Sequence, residues 1–397
     1  MKLDRTHSHV FHPGIVHFAL AMGGFAIGTT EFATMSLLPY FSADLGIDAP
    51  TAGHVISAYA LGVVVGAPLI AVATARMARR TLLILLMTMF ALANGLSGLA
   101  PDYHSMLLFR FLSGLPHGAY FGIAMLMAAS LVPPEKRTAA VGRVIIGLTV
   151  ATTIGVPVAN FLGGVIGWRW GFAIVAALAL LTAILVAIFA PRDKGDPAAS
   201  PLRELNALKR IHVWLTLAIG AVGFGGLFAV YTYLASALME VTHAPAGRIP
   251  FVFMIFGVGA TLGNIIVPPF AERALMRTAG LILLFSASML AFYTVAIDNI
   301  WLTGIAVFFI GFAACLATVL QTRLMDVAGD AQALAAALNH SAFNVANALG
   351  PALAGLALAA GYGWRSSGWV GCGLALGGFA IWGVAVAAAR AIPVPGR

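Results

Sequence analysis

Arg110 is a guanidinium set in the middle of an apolar run. The stretch Leu107–Met125, LLFRFLSGLPHGAYFGIAM, is long enough to cross a bilayer, and it carries that arginine, Pro116, His117 and glycines at 114, 118 and 122. A lone charge at membrane depth costs about 3 kcal/mol or more, so a residue of this kind faces a bundle interior or a wet cavity. Among the chain's 14 acids, Glu31 is the one placed well inside an apolar run. Arginine stays charged at any accessible pH, which leaves Glu31 as the group there that can take up and release a proton. Glu31 lies about eight residues from the outer end of its segment and Arg110 about six, so at 1.5 Å per residue they sit roughly 12 and 9 Å below the surface. Opposite charges at one height are expected to pair, the least costly arrangement in a low dielectric. Protonation of Glu31 is then expected to free Arg110. His117, two turns further along the same helix face, titrates near neutrality and is either a proton relay or a buried, hydrogen-bonded histidine.

A second set of residues has the chemistry of a small-molecule wall. Phe224, Phe228 and Tyr231 fall in one apolar segment, with Tyr233, Phe251, Phe253 and Phe256 close behind. Apolar walls carrying a few polar groups are how such sites are built, and Tyr59, Asn344 and Asn347 are candidates for the polar groups. Asn344 and Asn347 share a helix face and serve equally well as hydrogen-bond partners between helices.

The elements that must position these residues follow from composition. Of 397 residues, 61% are hydrophobic and 9% charged, with a mean hydropathy of +0.97. A soluble domain carries about 25% charge, so this is an all-α polytopic membrane protein. At about 20 residues per crossing, spans are expected near 15–38, 52–75, 81–100, 104–130, 138–164 and 168–190, then 212–238, 247–269, 277–296, 300–321, 332–360 and 367–389. These make two six-helix bundles, residues 1–190 and 211–397, joined by a polar linker at 191–210. The net charge of +8 reflects topology rather than nucleic-acid binding: 18 of the 22 Lys and Arg fall on the side of the termini, three on the other, and Arg110 lies within a span. That bias predicts both termini in the cytoplasm. Cys315 and Cys372 lie within apolar runs and suggest neither a disulfide nor a metal site. His7, His9 and His12 are read as a solvated tail.

The halves repeat at an offset near 196 residues. GAPLIAVATARMARRTLLIL (66–85) matches GNIIVPPFAERALMRTAGLIL (263–283), and GWRWG (167–171) matches GYGWRSSG (361–368). Parallel repeats of this type build transporters with a site between the halves. The repeat puts Leu227 and Val307 where Glu31 and Arg110 stand, so coupling chemistry is expected in the first half.

Four motifs carry a family resemblance. GTTEF (28–32) precedes Pro39, ARMARR (75–80) occupies a 2–3 loop, RFLSGLPHG (110–118) has the pattern R-x-x-x-G-x-x-x-G, and GLTVATTIGVPVANFLGG (147–164) is rich in Gly and Pro. In this order and spacing the chain resembles the major facilitator superfamily. Within it the chain looks like the twelve-helix drug:proton antiporters of the arabinose-efflux-permease and chloramphenicol-resistance group. The resemblance implies Arg76, Arg79 and Arg80 as gating-loop residues. The loop motif's Asp falls on Ala75 and its glycines on Ala71 and Ala78, while Glu272–Arg273 restores an acid–base pair in the second half. The fifth-helix motif reads G-V-P, with Asn160 inside it.

The expected function is proton-coupled efflux of small, largely apolar molecules across a bacterial cytoplasmic membrane. The alternatives are a sugar or nucleoside exporter of the same fold, or a passive facilitator. Small-molecule substrate, protons and lipid are the expected partners, with no cofactor, no metal, no nucleic acid, and a monomeric state. No H-E-x-x-H, paired intramembrane acids, G-x-S-x-G elbow or phosphate-binding Gly-Lys-Ser/Thr loop points to an enzyme or to ATP-driven transport.

Overall fold

In a bilayer every backbone polar group must be satisfied within the protein, and apolar runs of about 20 residues do this as helices. A computed structural model describes residues 13–74, 76–133, 137–193, 195, 209–328 and 332–391. His7, His9, His12 and most of the 191–210 linker lie outside the described residues. Twelve helices there are long and apolar enough to span a membrane. They are α1 (Pro13–Ser36), α2 (Ala49–Ile70), α3 (Arg79–Gly98), α4 (Tyr103–Ser130), α5 (Gly142–Val165), α6 (Arg169–Phe189), α7 (Ile211–Glu240), α8 (Ala246–Ile266), α9 (Pro268–Ala296), α10 (Ile300–Val327), α11 (Leu338–Ala359) and α12 (Ser366–Arg390).

Polar caps fix several helix starts. Asp48 accepts from Thr51 N (2.8 Å) ahead of α2. Asp102 and Ser105 form a reciprocal capping box at α4, and Asn299 Oδ1 accepts from Trp301 N and Leu302 N at α10. The repeated GWR segments turn on left-handed glycines, Gly167 (φ +101°) and Gly363 (φ +72°). They place Arg169 and Arg365 equivalently: Arg169 pairs with Asp44, and Arg365 grips Asp298 at 2.5 and 2.6 Å.

Two close helix pairs are related by the repeat. A Cβ on Gly62 would stand 2.1 Å from the Phe111 carbonyl oxygen, and one on Gly114 2.1 Å from that of Tyr59. Only glycine lets α2 and α4 approach so closely. In the second half, Gly259 would meet the Phe308 oxygen at 2.1 Å and Gly311 that of Phe256 at 2.3 Å, which joins α8 to α10. Gly118 also faces α2, through Ala67. Gly122 meets nothing within 4 Å, so of the three glycines spaced by four only Gly114 and Gly118 pack on α2.

Regular helix is interrupted near the middle of the bundle. Its second segment beginning only at His117, α4 breaks at Leu115–Pro116. α5 carries a π-helical turn at Ala151–Gly155, α7 breaks at Phe224, and α10 breaks at Ala313–Cys315. The halves meet along α2 with α11 and along α5 with α8. Ser57 Oγ donates to the Ala348 carbonyl (3.0 Å), and Thr153 Oγ1 lies 3.5 Å from Thr261 Oγ1.

Candidate functional site

Arg110 is fully buried, and it does not pair with Glu31. Its Nη1 donates to Thr30 Oγ1 (3.1 Å) and lies 3.5 Å from Asn94 Oδ1 and 3.4 Å from Ser113 Oγ. Thr30 Oγ1 in turn donates to Asn94 Oδ1 (2.7 Å). The guanidinium carbon stands 4.2 Å from the centre of the Tyr59 ring, a desolvated cation–π contact. The expected ion pair fails for a geometric reason. Consecutive residues on a helix point about 100° apart, so when Thr30 faces into the first bundle, Glu31 faces out of it. The depth estimate brought α1 and α4 to the right level, but it could not tell residue 30 from residue 31.

Glu31 instead reaches the other half. Its Oε1 accepts from Asn347 Nδ2 on α11 (3.1 Å), and both side chains are buried. Asn347 Oδ1 has no donor, and neither Arg110 Nε nor Nη2 has an acceptor. Buried polar atoms without partners are uncommon, and here they gather around Arg110 and Asn347.

His117 joins the same network. Tyr59 Oη and His117 Nδ1 are 2.9 Å apart. Across the interface the ring of His340 on α11 lies 6.1 Å from that of His117, and it stacks on Phe121 at 5.3 Å with a 4° interplanar angle. Two polar lines thus run between the bundles, both ending on α11: Glu31 to Asn347, and Arg110 through Tyr59 and His117 to His340. Asn344 lies between them in sequence, its Nδ2 bonded to the His340 carbonyl (3.0 Å) and its Oδ1 without a donor.

The aromatic residues of α7 and α8 cluster beside Glu31, where they meet Phe32 of α1. Phe32 stacks on Phe228 (6.1 Å) and meets Tyr231 edge-on (5.6 Å). Tyr231 packs on Phe253 and Phe256 at 5.1 and 4.4 Å, and Phe224 packs on Phe228 and Phe343 at 5.5 and 4.6 Å. Phe251 stands apart, exposed on the outside of α8. In the second half the positions of Thr30, Asn94 and Arg110 hold Gly226, Leu290 and Val307, all buried and apolar. At these equivalent positions the charge belongs to the first bundle alone.

The 2–3 loop, expected to act in gating, is held differently from the family pattern. Asp193, just past α6, accepts from the backbone N–H of Arg79 (2.8 Å) and Arg80 (3.2 Å) and so caps α3 from a distance. The Arg80 guanidinium donates to the Ala187 carbonyl, and Arg76 and Arg79 are exposed. Asp193 therefore supplies a carboxylate to the loop whose own motif position is Ala75. Glu272 and Arg273 are both exposed and form no ion pair among the described residues, which corrects the acid–base pair expected there. Adjacent helical residues do not face each other, and the helix breaks at Ala274 (φ −155°, ψ 66°).

Sequence reasoning missed Thr30, Asn94 and Ser113. Asn94 was discoverable as the lone amide in its span, and Ser113 as the hydroxyl one turn after Arg110. Nothing local marked His340 as a partner of His117.

The model of the Major Facilitator Superfamily matches residues 20–312. The chain is 40% identical over 352 residues to the inner membrane transport protein YdhP of Escherichia coli strain K12, covering 87% of this chain and 89% of that protein. It is 32% identical over 351 residues to a chloramphenicol resistance protein of Streptomyces lividans, covering 86% and 88%. The solved structure of the nucleoside transporter NupG superposes with a TM-score of 0.74 at 13% identity, over 93% of this chain and 99% of that one, and shows the shared fold. Two repeat-related bundles of six membrane helices, with their buried polar residues facing each other, are thus matched along most of their length: the chain belongs to the major facilitator superfamily of membrane transporters.

Proposed function

We propose that this transporter is a proton-coupled exporter of small, largely apolar molecules, working by alternating access between bundles 1–190 and 211–397. We place it as a monomer in a bacterial cytoplasmic membrane with both termini inside. The observation that carries the reading is the Glu31–Asn347 hydrogen bond, in which a titratable group sits on the contact between the halves. A protonated Glu31 has a hydroxyl to donate, and Asn347 Oδ1 is a buried acceptor with no donor. Proton uptake therefore adds a hydrogen bond across the interface. Proton loss sets a carboxylate against an amide oxygen and strengthens the pull of Arg110 on Glu31. Phe224, Phe228 and Tyr231 supply the apolar wall, while Tyr59, Asn344 and Asn347 supply the polar groups. The relative named for chloramphenicol resistance supports an amphiphilic aromatic substrate.

A second reading, export of a sugar-like molecule, is favoured by the buried oxygens of Tyr231, Thr232, Asn344 and Asn347, none of which has a partner. Hydroxyl groups of a substrate would satisfy them. The test is transport in proteoliposomes of purified protein under an imposed pH gradient, with chloramphenicol or a hexose as probe and a protonophore control. Uphill, protonophore-sensitive movement supports coupling, and the probe that moves separates the two readings. Movement that only follows the probe's own gradient rejects both.

A further inference from the structure

The glycine-tight pairs α2–α4 and α8–α10 are repeat equivalents, but their ends away from the chain termini differ. In the first pair, His54 Nδ1 and Tyr103 Oη lie 2.9 Å apart and tie the helices together above the glycines. In the second pair the equivalent residues are Phe251 and Ile300, which form no such tie. Between the helices runs an apolar slot of about 670 Å³ lined by Phe251, Ile255, Gly304, Phe308 and other apolar side chains. That volume lies within the range of small-molecule sites. From Ile300 at its mouth to Phe308 at its floor is eight residues, about 12 Å along the helix, so the slot occupies one leaflet of a hydrocarbon core roughly 30 Å thick.

A second, polar pocket of about 310 Å³ caps the slot and shares Arg248, Ile300 and Trp301 with it. Two of its groups are already engaged. The Asp298 carboxylate is taken by Arg365, and Asn299 Oδ1 is spent on the first N–H groups of α10. Arg248, exposed at the junction of the two spaces, forms no ion pair among the described residues. With Asp298 neutralised by Arg365, the pocket carries the net positive charge of Arg248. Trp301 is 76% exposed beside it, at the headgroup level where tryptophan anchors to a bilayer.

We propose that slot and pocket together hold one anionic phospholipid of the leaflet opposite the chain termini, its phosphate on Arg248 and an acyl chain between α8 and α10. An apolar slot open to lipid does not stay empty, because its walls would forfeit their dispersion contacts. A basic residue at the end of such a slot selects an anionic headgroup. The site is independent of what the protein transports.

The test is native mass spectrometry of the full-length protein, delipidated in dodecyl maltoside and titrated with palmitoyl-oleoyl phosphatidylglycerol or phosphatidylethanolamine. The wild type should hold one phosphatidylglycerol, and Arg248→Ala should lower that occupancy about five-fold, while Arg248→Lys keeps most of it. Gly304→Leu, which fills the slot at a position where a Cβ meets only Ile255 at 3.6 Å, should lower it as well. Monodisperse elution and unchanged melting of each lipid-free variant establish that it is folded. Equal occupancy in wild type and Arg248→Ala overturns the proposal, as does equal retention of both lipids. So does a protein dimer through this face that carries no lipid.

Discussion

Replacing Glu31 with glutamine fixes one protonation state of the interface. The introduced amide would offer both an acceptor for Asn347 Nδ2, now 3.1 Å from Glu31 Oε1, and the donor that Asn347 Oδ1 lacks. In the wild type that donor is present only while Glu31 carries its proton. A buried acceptor left unsatisfied costs about 1–3 kcal/mol, and a buried carboxylate is costlier than the neutral acid; set against the stronger N–H···O⁻ bond from Asn347, losing the proton weakens the contact by about 2 kcal/mol, or roughly thirty-fold in the ratio of this conformation to one with the halves apart. The sign follows directly: the conformation described here gains population as pH falls and loses it as pH rises. Glu31→Gln should hold it at every pH, and Asn347→Ala should depopulate it. Nitroxide labels at Leu99 and Tyr362, exposed at the end opposite the termini, in a chain lacking Cys315 and Cys372, report the separation by double electron–electron resonance at pH 5.5 and 8. Proteoliposomes report transport alongside. If Glu31→Gln keeps the wild-type pH response, or still drives a probe uphill on a pH gradient, Glu31 is not the coupling acid.

Arg110→Met should abolish coupled transport yet leave thermal stability unchanged or raised by about 1 kcal/mol, because a buried charge with two unpartnered nitrogens is lost. Thr30 and Asn94 still bond each other, and melting of the purified protein reads the result. Gly114→Leu drives a Cβ to 2.1 Å from a backbone oxygen of α2, and separating the helices should cost about 3 kcal/mol. Gly122→Leu, with nothing within 4 Å, should be silent in the same melt. Asp193→Ala should cost about 1 kcal/mol through loss of the cap on α3, with faster protease cleavage near residues 75–80. Hydrogen bonding from Arg169, followed by that from Trp168, holds the Asp44 carboxyl below its usual range. Its contribution is therefore present above that range and lost on acidification through the lowered value. Half-exposed as the pair is, Asp44→Asn should cost no more than about 1 kcal/mol at neutral pH, with the difference vanishing in an acid series of melts.

The number and place of the spans were legible because a helix in lipid is a one-dimensional requirement, about 20 apolar residues in a row. The repeat was legible for a similar reason: Gly62, Gly66 and Gly114 recur as Gly259, Gly263 and Gly311 wherever two backbones must touch. The depth of Arg110 could also be read, since residue count measures height. The direction in which neighbouring side chains point was not legible. Glu31 and Thr30 are adjacent in sequence, yet one bonds α11 of the other bundle and the other bonds Arg110. Asp193 supplies the carboxylate missing at residue 75, a substitution visible only once the end of α6 lies against the start of α3.

The sequence by itself determined a twelve-helix membrane protein with two repeated halves and a charged, titratable first half, because hydropathy and periodicity act along the chain. Only the tertiary structure decided which groups meet. Arg110 rests on Thr30 and the Tyr59 ring, Glu31 answers to Asn347, His117 faces His340, and an apolar slot opens between α8 and α10. Those partnerships depend on rotation about each helix axis and on the docking of two bundles, and neither is written in the order of residues within a span.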